Sequence, residues 1–228
     1  TKEQKEELLH SVQAAREGEI NLVEASKEKK EIAKYLSVGD QILFENRKVH
    51  DFLFSHIIWD RKEAEEKKSG FYIKELALPL LVEKIFKILR NWDKVVLFNK
   101  LGFSKFAAKS NIKLYARVGA LCAIVMKNNT PLDFINAGRI MERFWLKATK
   151  MGLSVQPVTG VLFFNQRILA DRAQDFSNEH IHLIQDAYAY IQDLTAAKGK
   201  TIAMLFRIGH GGKPTVRSLR LSPNVAYK

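Results

Sequence analysis

One cysteine in 228 residues excludes an internal disulfide and fits a reducing compartment, the cytoplasm. That residue, Cys122, lies in the apolar run GALCAIVM and reads as a buried, inert thiol rather than a nucleophile. No apolar run approaches the roughly 18 residues of a membrane span, and no signal-peptide pattern is present. Acidic residues are in deficit: 25 Asp and Glu stand against 37 Lys and Arg, a net charge of +12. Such a balance favours anionic partners, whether nucleic acid, an acidic membrane surface or the phosphates of a cofactor. Metal-ligand spacing is missing too. His180 and His182 are two apart, so a helix points them to different sides, and no Cys or carboxylate constellation joins them. There is no nucleophile-elbow pattern. Gly209, Gly211 and Gly212 follow a strand-like run without opening a helix, so a dinucleotide-binding reading fails its context test.

Apolar residues, by contrast, are plentiful. With 46% hydrophobic residues and 14 Phe, the chain can fill one large domain or two small ones. Residues 119–126 form a short apolar, β-rich run and 201–208 another; both are expected to be strands of one sheet. Thr130 and Pro131 are suited to open a helix, with threonine as cap and proline in the first turn. Residues 1–43 read as a helical N-terminal segment, with a break at Gly18 and a turn at Gly39-Asp40. A polar helix and a loop at Ser69-Gly70 follow. Then comes a helix from Pro79 whose apolar face would be Leu81, Ile85, Ile88 and Trp92. The run VLFF after Gly160 reads as a further short strand, 166–176 as a helix, and 179–198 as a helix with Ile181, Ile184, Ala187, Tyr188 and Ile191 inward.

The most informative stretch is 137–160, AGRIMERFWLKATKMGLSVQPVTG. Ala137, Met141, Trp145 and Ala148 recur at helical spacing with Phe144 beside them. Charged residues take the other faces, and Gly152 supplies a left-handed exit. The string resembles the corresponding motif of the nitroreductase-like flavoproteins, particularly the Acg-type branch, some of whose members are fused to a ThiF-like adenylating domain. The tail 205–227, LFRIGHGGKPTVRSLRLSPNVAY, resembles the closing strand and basic loop of the same superfamily. The resemblance is specific over about 137–225, weaker over 44–136 and near absent before.

The resemblance implies an α+β, nitroreductase-like fold: a mixed, mainly antiparallel sheet surrounded by helices. That domain would cover 44–228, with a possible lid at 60–116. It implies FMN as cofactor, bound at a dimer interface or between tandem halves. Gln156, Pro157, Thr159 and Gly160 would lie by the flavin ring, with a backbone N–H of that loop facing flavin N5. Many relatives carry an acidic residue where this chain has Thr159. Arg220 matches the arginine that holds the FMN phosphate, and Arg217 would assist it. The superfamily's N-terminal arginines have no counterpart: Arg16 stands alone in AAREGE, and the chain opens on Thr1, so an N-terminal segment is expected to be missing.

The activity implied is NAD(P)H oxidation through FMN, with a nitro compound, quinone or similar acceptor reduced. No side chain need serve as acid or base, because the cofactor carries the chemistry. Partners would be a second copy of the chain or a tandem domain. Two alternatives stand beside it. One is a non-catalytic relative that stores flavin or serves as a scaffold beside a ThiF-like domain. The other is a basic nucleic-acid-binding module, resting on Arg207, His210, Lys213, Arg217 and Arg220. The aromatics fall mostly at core-like spacings, which disfavours nucleic acid.

Overall fold

Seven consecutive residues, ALCAIVM, are buried on both faces and set the architecture around them. The computed structural model describes residues 1–13, 18–212, 214 and 216–223. In chain order the elements are α1 (Lys2–His10), β1 (Gly18–Val23), α2 (Ser26–Glu45), α3 (Arg47–Ser55), β2 (Ile57–Ile58), α4 (Arg61–Lys67) and β3 (Phe71–Tyr72). There follow α5 (Leu80–Leu89), α6 (Trp92–Asn99), α7 (Phe103–Ala116), β4 (Ala120–Met126), α8 (Pro131–Lys150), β5 (Ser154–Pro157), α9 (Gly160–Leu169), α10 (Asn178–Leu194) and β6 (Thr201–Gly209). The chain divides into two compact units, Thr1–Ile42 with Ser104–Gly211, and Leu43–Phe103 with Gly212–Lys228.

The first unit is built on a four-stranded sheet of order β1-β4-β6-β5, antiparallel at every pairing. Side chains alternate across a strand, so β4 feeds two cores. Leu121, Ala123 and Val125 meet Ile32 and Leu36 of α2, Val161 and Leu162 of α9, and Ala187, Tyr188 and Ile191 of α10. Ala120, Cys122, Ile124 and Met126 meet Leu8 of α1 and Ala137, Ile140, Met141, Phe144 and Ala148 of α8. A strand covered on both sides must be apolar throughout, which is why it shows no alternation.

Helix α8 has the ends its sequence anticipates. Thr130 and Asp133 form a reciprocal capping box, and Pro131 occupies the first turn. Gly152, at φ +70°, ends it. Its buried stripe is Ala137, Ile140, Met141, Phe144 and Ala148, whereas Trp145, expected on that face, is exposed. Phe144 packs edge-to-face on Phe206 of β6, centroids 5.0 Å apart.

Several expectations are corrected. Residues 18–23, expected inside a helical segment 1–43, form strand β1. Gly18 starts it in close quarters: a Cβ there would lie 2.5 Å from Met126 Sδ and 2.8 Å from Ile140 Cδ1. The Asn21 amide then anchors the strand by donating to the Thr195 carbonyl at 2.8 Å. Gly39-Asp40 is no turn, because α2 runs through it. There α2 passes the backbone of Gly160 and Val161, where a Cβ on Gly39 would make only ordinary contacts from 3.5 Å. VLFF is the first turn of α9 rather than a strand; the strand is the preceding Ser154–Pro157, with its proline on the sheet edge. The tail of the predicted helix over 166–176 is shorter, since α9 ends at Leu169.

The second unit packs aromatic rings. Phe44 meets Phe103 at 5.1 Å and Phe54 meets Phe86 at 5.2 Å. His50 is fully buried; it stacks on Phe54 at 4.2 Å, and its Nε2 donates to the Leu89 carbonyl at 2.8 Å. β2 and β3 form a short parallel pair. The expected inward face of α5 is reversed. Glu83 is buried, ion-paired to Lys74 at 2.6 Å and Lys87 at 3.2 Å, and these bonds hold its carboxyl below the usual carboxylate range. Leu80, Leu81, Ile85 and Ile88 are exposed instead, and Trp92 starts a separate helix behind the Asn91 cap. Among the described residues, no helix is long and apolar enough to cross a membrane.

Candidate functional site

The turn from β5 into α9 carries four of the expected site residues. Gln156 and Pro157 pair with Arg207 and Phe206 of β6. The Val158 N–H donates to the Leu205 carbonyl at 2.8 Å, which holds the chain on the sheet one residue further. Thr159 occupies the N-cap of α9, but its side chain makes no capping hydrogen bond. Gly160 opens the helix and is exposed. The first N–H groups of a helix lack intrahelical acceptors and carry partial positive charge. An uncapped start beside an exposed glycine therefore presents backbone donors, with no Cβ at Gly160 in the way.

The Gln156 side chain is already engaged. Its Oε1 accepts from Arg207 Nε at 2.6 Å, and Arg207 Nη1 donates to the Leu114 carbonyl at 2.8 Å. The same guanidinium lies 6.0 Å from the centre of the Tyr115 ring. Burial lowers its proton affinity below the usual arginine range. The Tyr115 hydroxyl donates to both oxygens of Asp40 at 3.1 Å. Burial pushes Asp40 up to about 6, against hydrogen bonds from Asn111 and Tyr115 that favour its charged form. A polar relay thus joins β5, β6, α7 and α2. Arg207 was legible only as a member of a basic cluster. Asp40 was read as part of a turn. Their signal in the sequence is weak because each partner is distant along the chain.

A cavity of about 570 Å³ opens where β4 and β5 begin and β6 ends, and Gln156 and Arg207 form part of its wall with Lys29, Arg117 and His210. Arg217 and Arg220 belong to the second unit, in exposed irregular chain. Ser218 between them donates to the Glu75 carboxylate at 3.0 Å. Arg16, Lys213 and residues 224–228 lie outside the described residues.

Cys122 is fully buried, and burial pushes its thiol up. His180 is buried at the start of α10. Among the described residues, no group of three or more His, Cys, Asp or Glu is arranged to hold a metal ion.

No model of a known protein family matches the chain. Over 215 residues it is 23% identical to an uncharacterized protein of Mycobacterium tuberculosis, covering 94% of this chain and 30% of that protein. The chain thus spans less than a third of that relative's length. A nitroreductase from Bacteroides fragilis, solved with bound FMN, superposes over 100% of this chain and 87% of its own, with 8% identity and a TM-score of 0.50. An FMN-dependent nitroreductase from Mycobacterium smegmatis, in complex with NADPH, covers 100% of this chain and 89% of its own, with 12% identity and a TM-score of 0.49. At such identities the likeness concerns the fold alone, and it agrees with an antiparallel sheet covered by helices on both faces: the chain has a nitroreductase-like fold.

Proposed function

We propose that this chain is the flavin-binding part of an FMN-dependent oxidoreductase of the nitroreductase type. One observation carries the reading: α9 starts without a side-chain cap, at an exposed glycine, directly after the edge strand Gln156-Pro157. A flavin ring needs a backbone donor at N5, and this start fits that need. When bound, FMN supplies the hydride chemistry between NAD(P)H and a nitro compound or quinone. The chain's own contribution is position. The N–H groups at Thr159 and Gly160 would hold the ring, and Gln156, fixed by Arg207, keeps the edge strand in register. Arg217 and Arg220 would hold the phosphate, as exposed guanidinium groups whose planar fork suits phosphate oxygens. Thr159 stands in place of an acidic side chain, so the ring contact rests on backbone.

We further propose that the chain acts in the cytoplasm as an oligomer or beside a tandem domain. The exposed Leu80, Leu81, Ile85 and Ile88 support an interface on α5. The greater length of the mycobacterial relative supports a neighbouring domain. It also favours a second reading, a flavin-storing or scaffolding module without turnover. Titration of FMN into the purified protein, followed by flavin fluorescence and NAD(P)H oxidation with a quinone, separates the two. Binding with turnover supports the oxidoreductase; binding without turnover supports storage; no binding removes both flavin roles and leaves a scaffold.

A further inference from the structure

The cavity at the end of the sheet has a second chemistry that the flavin reading does not use. Among the described residues, Lys29, Arg117, Arg207 and His210 line it and no carboxylate does. Lys29 is the telling residue. It sits on α2 with only 8% of its surface exposed. Its ammonium donates to the carbonyls of Val118 at 2.7 Å and Gly119 at 3.1 Å. Two neutral carbonyls aim an ammonium without neutralising it. Among the described residues no carboxylate pairs with Lys29, Arg117 or Arg207. A buried cation with no counter-ion is costly, and folded proteins normally pair it.

Arg207 adds a held guanidinium. Nε is committed to Gln156 and Nη1 to Leu114, which fixes the plane of the fork while Nη2 stays available. Arg117 is exposed at the rim, next to the very carbonyl that Lys29 engages. The cavity's volume lies in the range of small-ligand sites. A monoanion would offset one of three permanent charges. A phosphate offers two charges and several acceptor oxygens, which matches an ammonium and two guanidiniums.

We propose that this cavity binds a small molecule through a phosphate group, seated among Lys29, Arg117 and Arg207, in a site separate from the one assigned to the flavin phosphate. Lys29 supplies the buried charge, Arg207 the fixed fork and Arg117 the closing contact from the rim.

Inorganic pyrophosphate is the probe, titrated by calorimetry into the whole chain at constant ionic strength. The expected results are saturable binding to wild type, roughly tenfold weaker binding to Arg117→Gln, and still weaker binding to Lys29→Met. Arg117 is exposed, so its variant keeps the comparison valid even where Lys29→Met fails to fold. Arg220→Gln should bind pyrophosphate as wild type does, and saturating pyrophosphate should leave FMN affinity unchanged. Absence of binding to wild type, or equal binding by Arg117→Gln, overturns the proposal. Competition between pyrophosphate and FMN also overturns it, because the cavity would then be the flavin's own phosphate seat. Loss of the flavin reading would show in the FMN titration alone and leave the pyrophosphate result standing.

Discussion

The Tyr115 hydroxyl sits 3.1 Å from each carboxylate oxygen of Asp40, tying α7 to α2 next to Arg207. Asp40 is part-buried, and burial outweighs the two hydrogen bonds that favour its charge, so its pKa stands near 6 in the folded chain. An unfolded aspartate titrates near ~3.9. Between these values the folded state binds the extra proton. Asp40 therefore contributes its full stability below about pH 4 and loses it as pH rises through about 6. Replacing it with a neutral isostere should remove that dependence. In urea denaturation at pH 4.5, 6 and 7.5, Asp40→Asn should gain about 1–3 kcal/mol on wild type between the two ends. A difference that stays flat across the series would reject the assignment.

Phe144 is fully buried between α8 and the sheet, edge-to-face on Phe206. Truncation removes ring contacts and leaves a cavity that close-packed neighbours refill poorly. Phe144→Ala should cost about 3–5 kcal/mol in unfolding free energy, and Phe144→Leu clearly less. Chemical denaturation of both variants tests this. Similar losses for the two would mean the site is loosely packed.

Gly39 distinguishes a helix interior from a turn. A Cβ there would meet the Val161 nitrogen at 3.5 Å, an ordinary contact, while a longer side chain would push α2 from the start of α9. Gly39→Ala should be neutral or stabilise by up to about 1 kcal/mol, because alanine favours helix. Gly39→Leu should destabilise. Thermal melts of the pair decide; a marked loss for alanine would indicate backbone strain at this position.

These cases also show where the sequence was readable. α8, β4 and β6 were legible because their apolar patterns are long and their ends carry Thr130-Pro131 and Gly152. VLFF was not, since four apolar residues fit either period. Only the Val158 bond to Leu205 and the start at Gly160 settle it. β1 was hidden because Gly18 reads locally as a helix break, while in the fold it pairs with Met126 of β4 and lies close to Ile140. The face of α5 was inverted because Lys74 and Lys87 allow Glu83 to be buried, and Lys74 is outside that helix. At the candidate site, the motif singles out the 156–160 turn as an expectation, but Lys29 finds its acceptors 89 and 90 residues away. No local pattern encodes such a contact.

The exposed face of α5 gives a prediction about assembly. Leu81 is 71% and Ile88 50% exposed on a helix whose inward side holds Glu83. Isolated surface leucines are ordinary, but Leu80, Leu81, Ile85 and Ile88 lie on one short helix. Sedimentation analysis should find wild type self-associating and the double variant Leu81→Lys, Ile88→Lys shifted to monomer with an unchanged far-UV spectrum. Monomeric wild type at high concentration would remove α5 as a self-interface.

Arg220 tests the flavin reading most directly. A phosphate needs at least one well-aimed guanidinium, and in the resembled family the arginine after the last strand fills that role. Here Arg220 follows β6 in exposed chain, and Ser218 ties the neighbouring backbone to Glu75. Exposure lets solvent compete, so the loss should sit at the lower end of a charge-assisted bond, about 1.5 kcal/mol or roughly tenfold in FMN affinity for Arg220→Ala. Riboflavin, which lacks the phosphate, should bind wild type and variant alike. Fluorescence titrations of the two flavins against the two proteins form a complete cycle. Equal FMN affinities would take Arg220 out of the site, whereas an equal loss for riboflavin would place the effect on the ring or the fold rather than on the phosphate.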